Sequence, residues 1–385
     1  MMTRVFFILL IFGLTSLGCT STTIRPFRDG ASVTAATEGE ERLWASADKL
    51  DKSLRKSGQI YQDDTLKNYM QEIMDRLYPE FKGKIKVRLL KDPVLNAFAL
   101  PNGSIYINIG LIAALDNEAQ IATVLAHEGI HFTMKHSALQ REHFYNATGA
   151  GMAVSLLGVP FIGQLAAASS IFGYSQEHEL EADKLGYERL VNAGYDTLEA
   201  PKAFKHLLLE SGADGAESPF FFSTHPALEK RIENFDAFNK TKIPGPREKG
   251  IEVYRSRVAE LRDYVLEEKV RAGRYDAIIK AFAIEELQKS ETPQCRFYLG
   301  EAYRLRGKEG DMSNALKIYT ELLNLDPQFT PAYKSMGIIS YKDKNFTEAK
   351  SYFEKYLSSG PDEKEAVFVR HYLKIIENKG TPNED

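Results

Sequence analysis

The hydrophobic and polar positions change period several times along the first third of the chain. Helical spacing gives way to strand alternation, and the predicted elements are two helices over about 38–57 and 65–78 and strands over 85–90, 97–100 and 104–109. The last two strands flank Pro101, Asn102 and Gly103, which favour the backbone angles of a tight turn. The pattern therefore predicts a small sheet whose hairpin leads directly into the next helix.

The helix that follows is the most uniformly apolar element, because nearly every position from Ile121 to Phe132 is hydrophobic. Asn117 is its predicted N-cap, and Gln120 three residues later completes a capping-box pair. A helix without a polar face is buried on most sides. Any polar group inside this helix therefore needs a partner within the protein.

A second apolar stretch spans residues 150–173 and is interrupted by Gly158, Pro160 and Gly163. Its length matches a membrane crossing, but the helix breakers favour two short helices. We expect these helices to form protein core or to cover an active site, and a membrane-dipping or gating element is the alternative. An acidic helix from about Gln176 to Ala193 follows.

The C-terminal third has a repeating pattern. Residues 240–250 combine proline, glycine and charge, and mark the predicted domain boundary. Beyond them, Pro327 and Pro361 lie 34 residues apart, which is the period of the tetratricopeptide repeat. Together with a degenerate helix pair that turns at Gly273, this period predicts about three stacked units over residues 251–380. An irregular helical bundle is the alternative.

These elements predict a mainly α protein, in which an α+β domain with a small β-sheet over residues 38–240 precedes an α-solenoid of tetratricopeptide repeats. A chain of 385 residues is long enough for two such domains. The solenoid is expected to bind protein segments in its concave groove. A formal net charge of −4 offers no basic surface, so nucleic acid is not an expected partner.

The first 18 residues predict an export signal rather than part of the fold. A short basic start, Met1–Arg4, precedes an apolar run, Val5–Leu17, that is too short to cross a bilayer comfortably. Cys19 follows a small residue, as in the bacterial lipoprotein signal, in which the cysteine carries lipid and becomes the mature N-terminus. Ordinary cleavage, or retention as an anchor, is the alternative. We expect residues 19–37 to form a lipidated tether.

Cys295 is the one other cysteine of the sequence. If Cys19 carries lipid, no intramolecular disulfide can form, and stability must come from packing and from any bound metal.

The buried helix contains His127, Glu128, Gly129, Ile130 and His131, which is the HExxH pattern. Residues four apart share a helix face, so both imidazoles can bind one metal ion with Glu128 beside them. Burying these three groups without partners would be costly, and one Zn²⁺ ion supplies a partner for all of them. The alternative is a pair of core histidines that are satisfied by local hydrogen bonds.

Four blocks of the sequence together resemble a known family. They are NAFALPNGSIYINIGL, AHEGIHFTMKH, ELEAD, and STHP followed by Arg231. These blocks are similar to the zinc metallopeptidase family of the CAAX-prenyl endopeptidases and HtpX, and within it to the BepA-like periplasmic branch with C-terminal tetratricopeptide repeats. The resemblance covers about residues 60–235 by motif and the remainder by architecture. It implies that residues 38–240 are a zinc metallopeptidase domain with one Zn²⁺ per chain.

The resemblance implies that the third zinc ligand is Glu179, the first residue of the ExxAD segment. Two histidines and one carboxylate with an open position make a catalytic zinc site. Spacing alone leaves Glu177 and Glu181 on the same helix as alternatives. Asp183, four residues after Glu179, shares its helix face and is expected to orient a ligand imidazole through the second ring nitrogen.

The resemblance also assigns roles to the last block. In the resembled branch, the histidine that matches His225 can occupy the fourth zinc position and latch the enzyme shut, and a loop or helix-capping role is the alternative. Arg231 is expected either to stabilise the oxyanion or to hold its loop by an ion pair. We expect His136 and His178 to be structural or surface residues.

The expected reaction is hydrolysis of a peptide bond. Zn²⁺ lowers the pKa of a bound water toward about 7, and Glu128 acts as the general base that later protonates the leaving amine. The expected substrates are misfolded or unassembled envelope proteins, and client or partner proteins are expected in the repeat groove. The alternative is an outer-membrane assembly factor or chaperone whose peptidase site is mostly latched. The expected location is the periplasmic face of the outer membrane, with a lipid anchor at Cys19.

The order of Gly129 and Ile130 departs from the family, which commonly has glycine directly before the second histidine. Glycine inside a helix costs about 1 kcal/mol relative to alanine, so its usual place implies close packing there, and this contact is in doubt here. Strand 104–109 or its neighbour 96–100 is expected to offer an edge on which an extended substrate adds as a strand.

Overall fold

The computed structural model of the protein describes residues 24–148, 174–210, 225, 227–241, 247–283 and 292–380. The predicted signal peptide, Cys19 and the apolar stretch 150–173 lie outside these residues. Within the described ranges, no helix combines the length and the apolar character that a membrane crossing requires. The described chain is mainly α with one small sheet, which confirms the predicted fold class.

The N-terminal half is a sheet enclosed by helices. Its elements are α1 (Glu38–Lys56), α2 (Asp64–Leu77), β1 (Lys86–Leu90), β2 (Ala97–Ala99), β3 (Ser104–Asn108), α3 (Ile109–Ala114), α4 (Glu118–Thr133), α5 (His136–Thr148), α6 (Gln176–Asn192), α7 (Ala200–Glu210) and α8 (Leu228–Thr241). The start of α4 is set locally, because the Asn117 side chain accepts a hydrogen bond from the Gln120 N–H. The Gln120 side chain itself accepts from the Asp116 N–H at 2.9 Å.

The sheet has the strand order β1-β3-β2. The predicted hairpin is confirmed, since β2 and β3 are antiparallel with Phe98 opposite Tyr106. β1 pairs with β3 in parallel. Because β3 is the central strand, the expectation that 104–109 offers an open edge is wrong, and β2 is the edge strand on that side.

The sheet is covered on both faces, which explains why every residue of β2 and β3 is buried. On one face, Phe98 and Tyr106 belong to a cluster with Leu43 and Leu50 of α1. The opposite face joins α2 and α4 in the main hydrophobic core. As a result α4, which contains the HExxH pattern, is buried along its whole length.

Gly129 makes a close contact one position before the place where the family commonly has glycine. A Cβ atom built on Gly129 would lie 2.3 Å from the ring of Tyr78. The Tyr78 hydroxyl donates to the Ala126 carbonyl on the same helix at 2.5 Å. Tyr78, which follows α2, therefore packs against α4 at Gly129, where the helix has no side chain.

The chain before α1 is docked on the end of α4. Phe27 is buried, and its N–H donates to the Thr133 carbonyl at 2.8 Å. Lys135, with a positive φ of 58°, places its ammonium group 4.3 Å from the centre of the Phe27 ring and 2.9 Å from Glu40 Oε1. From residue 24 onward, the predicted tether is therefore packed against the domain rather than free.

The predicted boundary at 240–250 does not end the main core. The Glu248 N–H donates to the Gly194 carbonyl at 3.1 Å, and the Lys249 carbonyl accepts from the Ala119 N–H at the start of α4. These backbone bonds attach the segment to the N-terminal domain.

The next helix, α9 (Ile251–Arg271), completes that core. Its Tyr254, Val258, Leu261 and Val265 belong to the main hydrophobic cluster. The Tyr254 hydroxyl donates to the Ile112 carbonyl at 2.6 Å, and the Arg262 guanidinium donates to the carbonyls of Ala113 and Leu115. These carbonyls lie at the end of α3, where a helix cannot satisfy them itself. The core of the N-terminal domain thus extends through α9.

The remaining helices form repeated pairs. They are α10 (Tyr275–Ala281), α11 (Pro293–Arg306), α12 (Asp311–Leu325), α13 (Pro331–Lys342), α14 (Phe346–Ser358) and α15 (Glu363–Gly380). A Cβ on Gly300 would lie 2.4 Å from the Tyr319 ring, and one on Gly337 would lie 2.6 Å from the Phe353 ring. The pairs α11–α12 and α13–α14 therefore use the same close contact between a glycine and an aromatic ring.

Candidate metal centre

Four buried side chains from three segments converge on one point. His127 and His131 lie one turn apart on α4, Glu179 lies on α6, and His225 lies just before α8. The ligand atoms of these four residues are all within 4.8 Å of one another. The structure thus brings together the three predicted metal ligands and the predicted fourth histidine.

The distances between the donor atoms match those around a tetrahedral ion. His127 Nε2 lies 2.9 Å from His131 Nε2 and 3.3 Å from His225 Nδ1. Glu179 Oε1 lies 3.4 Å from His131 Nε2 and 3.0 Å from His225 Nδ1. Ligand atoms bound tetrahedrally at about 2.0–2.1 Å lie about 3.3 Å from one another. Three imidazole nitrogens and one carboxylate oxygen therefore fit a metal ion such as Zn²⁺.

The charges in the cluster favour metal binding. Burial raises the pKa of the Glu179 carboxyl, but His225 and Arg231 outweigh burial and hold that pKa well below its usual range. Burial lowers the pKa of His131 well below its ordinary value. A carboxylate beside a neutral imidazole is the combination that a metal ion requires.

Glu128 lies beside the cluster with an unused carboxylate. The side chain is fully buried, and neither of its oxygens has a hydrogen-bond partner among the described residues. Its Oε1 lies 3.4 Å from His225 Nε2. A buried carboxylate without hydrogen bonds is costly. Glu128 therefore lies directly beside the cluster, where the expected general base would be needed.

Asp183 and Arg231 form a buried ion pair behind His127. Asp183 Oδ1 lies 3.1 Å from His127 Nδ1 and accepts from Arg231 Nη2 at 2.7 Å. Arg231 Nη2 also lies 2.8 Å from His127 Nδ1, but a guanidinium can only donate. Asp183 therefore lies within hydrogen-bond distance of His127 Nδ1, where the orienting role predicted for this aspartate requires it.

Contacts with Phe204 and Glu179 also hold Arg231 in place. Its guanidinium lies 4.1 Å from the centre of the Phe204 ring, and its Nη1 lies 3.2 Å from Glu179 Oε2. Burial lowers the pKa of Arg231, but Asp183 and Glu179 outweigh burial and raise the pKa above its ordinary value. Of the two roles expected for Arg231, the geometry is that of the ion pair.

Glu179 is the acidic residue of α6 that faces the cluster. Glu177 is exposed, and Glu181 Oε2 lies 3.1 Å from His136 Nε2 instead. The two alternatives that helical spacing left open are therefore directed elsewhere.

Sequence reasoning missed Tyr174, and it expected His136 to be a structural or surface residue without placing it at the site. The Tyr174 ring stacks on His131 with centroids 3.6 Å apart, and burial raises the pKa of its hydroxyl. His136 is fully buried, and its Nδ1 lies 2.9 Å from His131 Nδ1. Burial lowers the pKa of His136 to about 3, so this imidazole is neutral near pH 7. The half-buried His178 stacks on His136 with centroids 4.5 Å apart.

Comparison with known proteins identifies the domain that holds this cluster. A family model described as Peptidase family M48 matches residues 61–239. The chain is 26% identical over 338 residues to a beta-barrel assembly-enhancing protease of Yersinia pestis. The matched segment covers 82% of this chain and 66% of the relative. It is 29% identical over 205 residues to the protein of the same name from Escherichia coli (strain K12), covering 49% of this chain and 42% of the relative.

A mitochondrial protein is also similar to part of this chain. The chain is 27% identical over 198 residues to the mitochondrial metalloendopeptidase OMA1 of Schizosaccharomyces pombe, covering 45% of this chain and 58% of the relative. In each of these three matches, the chain spans less than two thirds of the relative's length.

Proposed function

Because residues 61–239 of this chain match the model of peptidase family M48, we propose that the protein is a zinc metalloendopeptidase of the bacterial cell envelope. Its proposed substrates are misfolded or unassembled envelope proteins. One observation carries the proposal: the donor atoms of His127, His131 and Glu179 meet at tetrahedral spacing beside the buried carboxylate of Glu128, whose oxygens have no hydrogen-bond partner among the described residues.

We assign the ligands and the base as follows. His127, His131 and Glu179 hold one Zn²⁺ per chain, which when bound supplies a Lewis acid and lowers the pKa of a water molecule. Glu128 takes the proton of the attacking water and delivers it to the leaving amine. Asp183 keeps Nε2 of His127 directed at the cluster by accepting from Nδ1–H.

A glutamine substitution tests the role of Glu128. The Glu128→Gln variant should bind as much zinc as the parent and cleave unfolded casein about 10²-fold more slowly or worse, because it retains the shape but loses the base. Glu177→Gln removes an exposed carboxylate from α6 and is the matched control, with an unchanged rate expected. Equal rates for Glu128→Gln and the parent would contradict the assignment.

The edge strand β2 is the proposed binding site for an extended substrate. Phe98 pairs with Tyr106 in the hydrogen-bonded register, so the backbone groups of Ala97 and Ala99 point away from β3. Ala99 and His131 line the same small cavity, which brings this edge next to the cluster. Addition of a strand uses main-chain hydrogen bonds, which suits unfolded polypeptides of varied sequence.

A second candidate function is an assembly factor or chaperone whose peptidase site is mostly latched. It is favoured by His225, whose Nδ1 lies among the ligand atoms at the position that an attacking water would need. A His225→Ala variant should therefore cleave casein faster than the parent at equal zinc content. A variant no more active than the parent would eliminate the latch and leave the open peptidase.

The proposed location is the periplasmic face of the outer membrane, with a lipid on Cys19. The signal pattern of the first 18 residues supports this location, as do relatives named for enhancing β-barrel assembly. Labelled fatty acid should appear on the parent and not on a Cys19→Ala variant. The proposed binding surface for client or partner proteins is the groove of the predicted tetratricopeptide repeats, which the repeated helix pairs after α10 support.

A further inference from the structure

His136 continues the chain of polar contacts outward from the cluster. It is the first residue of α5, and it follows Lys135, whose positive φ ends the path of α4. This break turns the His136 ring back toward α4. Its Nδ1 lies 2.9 Å from His131 Nδ1, and its Nε2 lies 3.1 Å from Glu181 Oε2.

The direction of the hydrogen bonds from Glu181 through His136 to His131 follows from the Glu181 carboxylate. An ionised Glu181 only accepts, so the N–H of His136 is on Nε2. The Nδ1 atoms of His136 and His131 lie 2.9 Å apart, so one of them donates to the other. With the N–H of His136 on Nε2, its Nδ1 accepts, and the N–H of His131 is on Nδ1. The Nε2 lone pair of His131 is then directed at the other ligand atoms.

We infer that His136 and Glu181 are positioning residues that fix the tautomer and ring orientation of the metal ligand His131. The arrangement parallels the role of Asp183 at His127, with one imidazole inserted between the ligand and the carboxylate. Tyr174, stacked on the His131 ring, holds the plane of that ring. Groups that accept from the outer nitrogen of a ligand histidine raise its basicity and tighten metal binding.

This inference rests on the proposed metal centre, and metal affinity tests it directly. Zn²⁺ affinity of the full chain is measured by competition with a chromophoric chelator. The Glu181→Ala variant should bind Zn²⁺ about 10- to 100-fold more weakly than the parent. The Glu181 side chain is 43% exposed, so this change should leave the fold of the zinc-free protein intact. Thermal unfolding of the zinc-free protein checks that point.

Two further variants separate positioning from charge. Glu181→Gln keeps a carbonyl oxygen that can accept from His136 and should recover most of the lost affinity. Glu177→Ala removes a carboxylate from the same helix, two residues before Glu179, and should bind Zn²⁺ as the parent does. The ligand-field absorption of the Co²⁺-loaded protein should change in Glu181→Ala and remain unchanged in Glu177→Ala, because it reports the geometry of the ligand set.

The outcomes distinguish this inference from the proposed function. A parent that binds no zinc would overturn the metal centre itself. A parent that binds zinc, with Glu181→Ala binding it equally tightly, would overturn the positioning role alone. An equal loss of affinity in Glu181→Gln and Glu181→Ala would also overturn it, because the effect would then come from charge rather than from the hydrogen bond.

Discussion

The contact between Gly129 and Tyr78 makes Gly129→Ala a sensitive test of the packing around α4. The new Cβ would lie 2.3 and 2.4 Å from two ring carbons of Tyr78 and 2.7 Å from its hydroxyl oxygen. Helix propensity favours alanine by about 1 kcal/mol, whereas overpacking a core costs about 1–3 kcal/mol. Displacing the ring also weakens its hydrogen bond to Ala126, which contributes about 0.5–1.5 kcal/mol. We expect a net loss of roughly 1–3 kcal/mol in the free energy of unfolding.

Calorimetry of the zinc-loaded full chain measures this loss. Each kcal/mol should lower Tm by about 2–4 °C in a domain of this size. Gly186→Ala is the matched control, because its Cβ would meet the His127 backbone at an ordinary contact distance of 3.4 Å. Changing Tyr78 to leucine in the Gly129→Ala background should recover part of the loss. A Gly129→Ala protein that melts at or above the parent's Tm would refute the reasoning.

Three other changes test charged groups of the described structure. Lys135→Met leaves Glu40 buried without its ion-pair partner and should cost about 3–5 kcal/mol in urea unfolding. Asp183→Ala should destabilise the fold through the uncompensated Arg231 and weaken zinc binding about 10- to 100-fold, as read by chelator competition. Burial raises the pKa of Glu199, but hydrogen bonds from neighbouring side chains outweigh burial and lower it from 4.5 to about 2. The ionised Glu199 carboxylate therefore stabilises the folded protein at neutral pH, and this stabilisation is lost as the pH falls from about 4.5 to 2. Denaturant titrations over this range should show a shallower decline for Glu199→Gln than for the parent.

Local patterns were sufficient for the centre of the site and for the hairpin. Residues at i and i+4 of an uninterrupted helix must share a face, so His127 and His131 follow from spacing alone. The turn residues between β2 and β3 specify an antiparallel pair in the same way. The order of the strands depends on the parallel pairing of β1 with β3, which passes over the intervening strand β2, and no local pattern encodes it.

The features that sequence reasoning missed are those created by a break in periodicity or by docking of a loop. His136 is five residues after His131, and on a continuous helix that separation would place the two side chains on different faces. The helix is not continuous, because the positive φ of Lys135 breaks it between the two histidines. The proline, glycine and charge of 240–250 are typical of a linker, yet residues 248 and 249 hydrogen-bond to the N-terminal domain. Such contacts depend on surfaces that form only when distant segments have packed.

The shared helix α9 has a consequence for the order of synthesis. Every residue of the cluster precedes residue 232, but Tyr254, Val258, Leu261 and Val265 of α9 complete the core that supports it. Domains fold as units while the chain leaves the ribosome, with the N-terminal part first. The candidate metal centre therefore cannot be fully supported until the helix that leads into the repeats has emerged. A nascent chain that stalls before this helix would lack the completed core around the cluster and would be exposed to proteolysis.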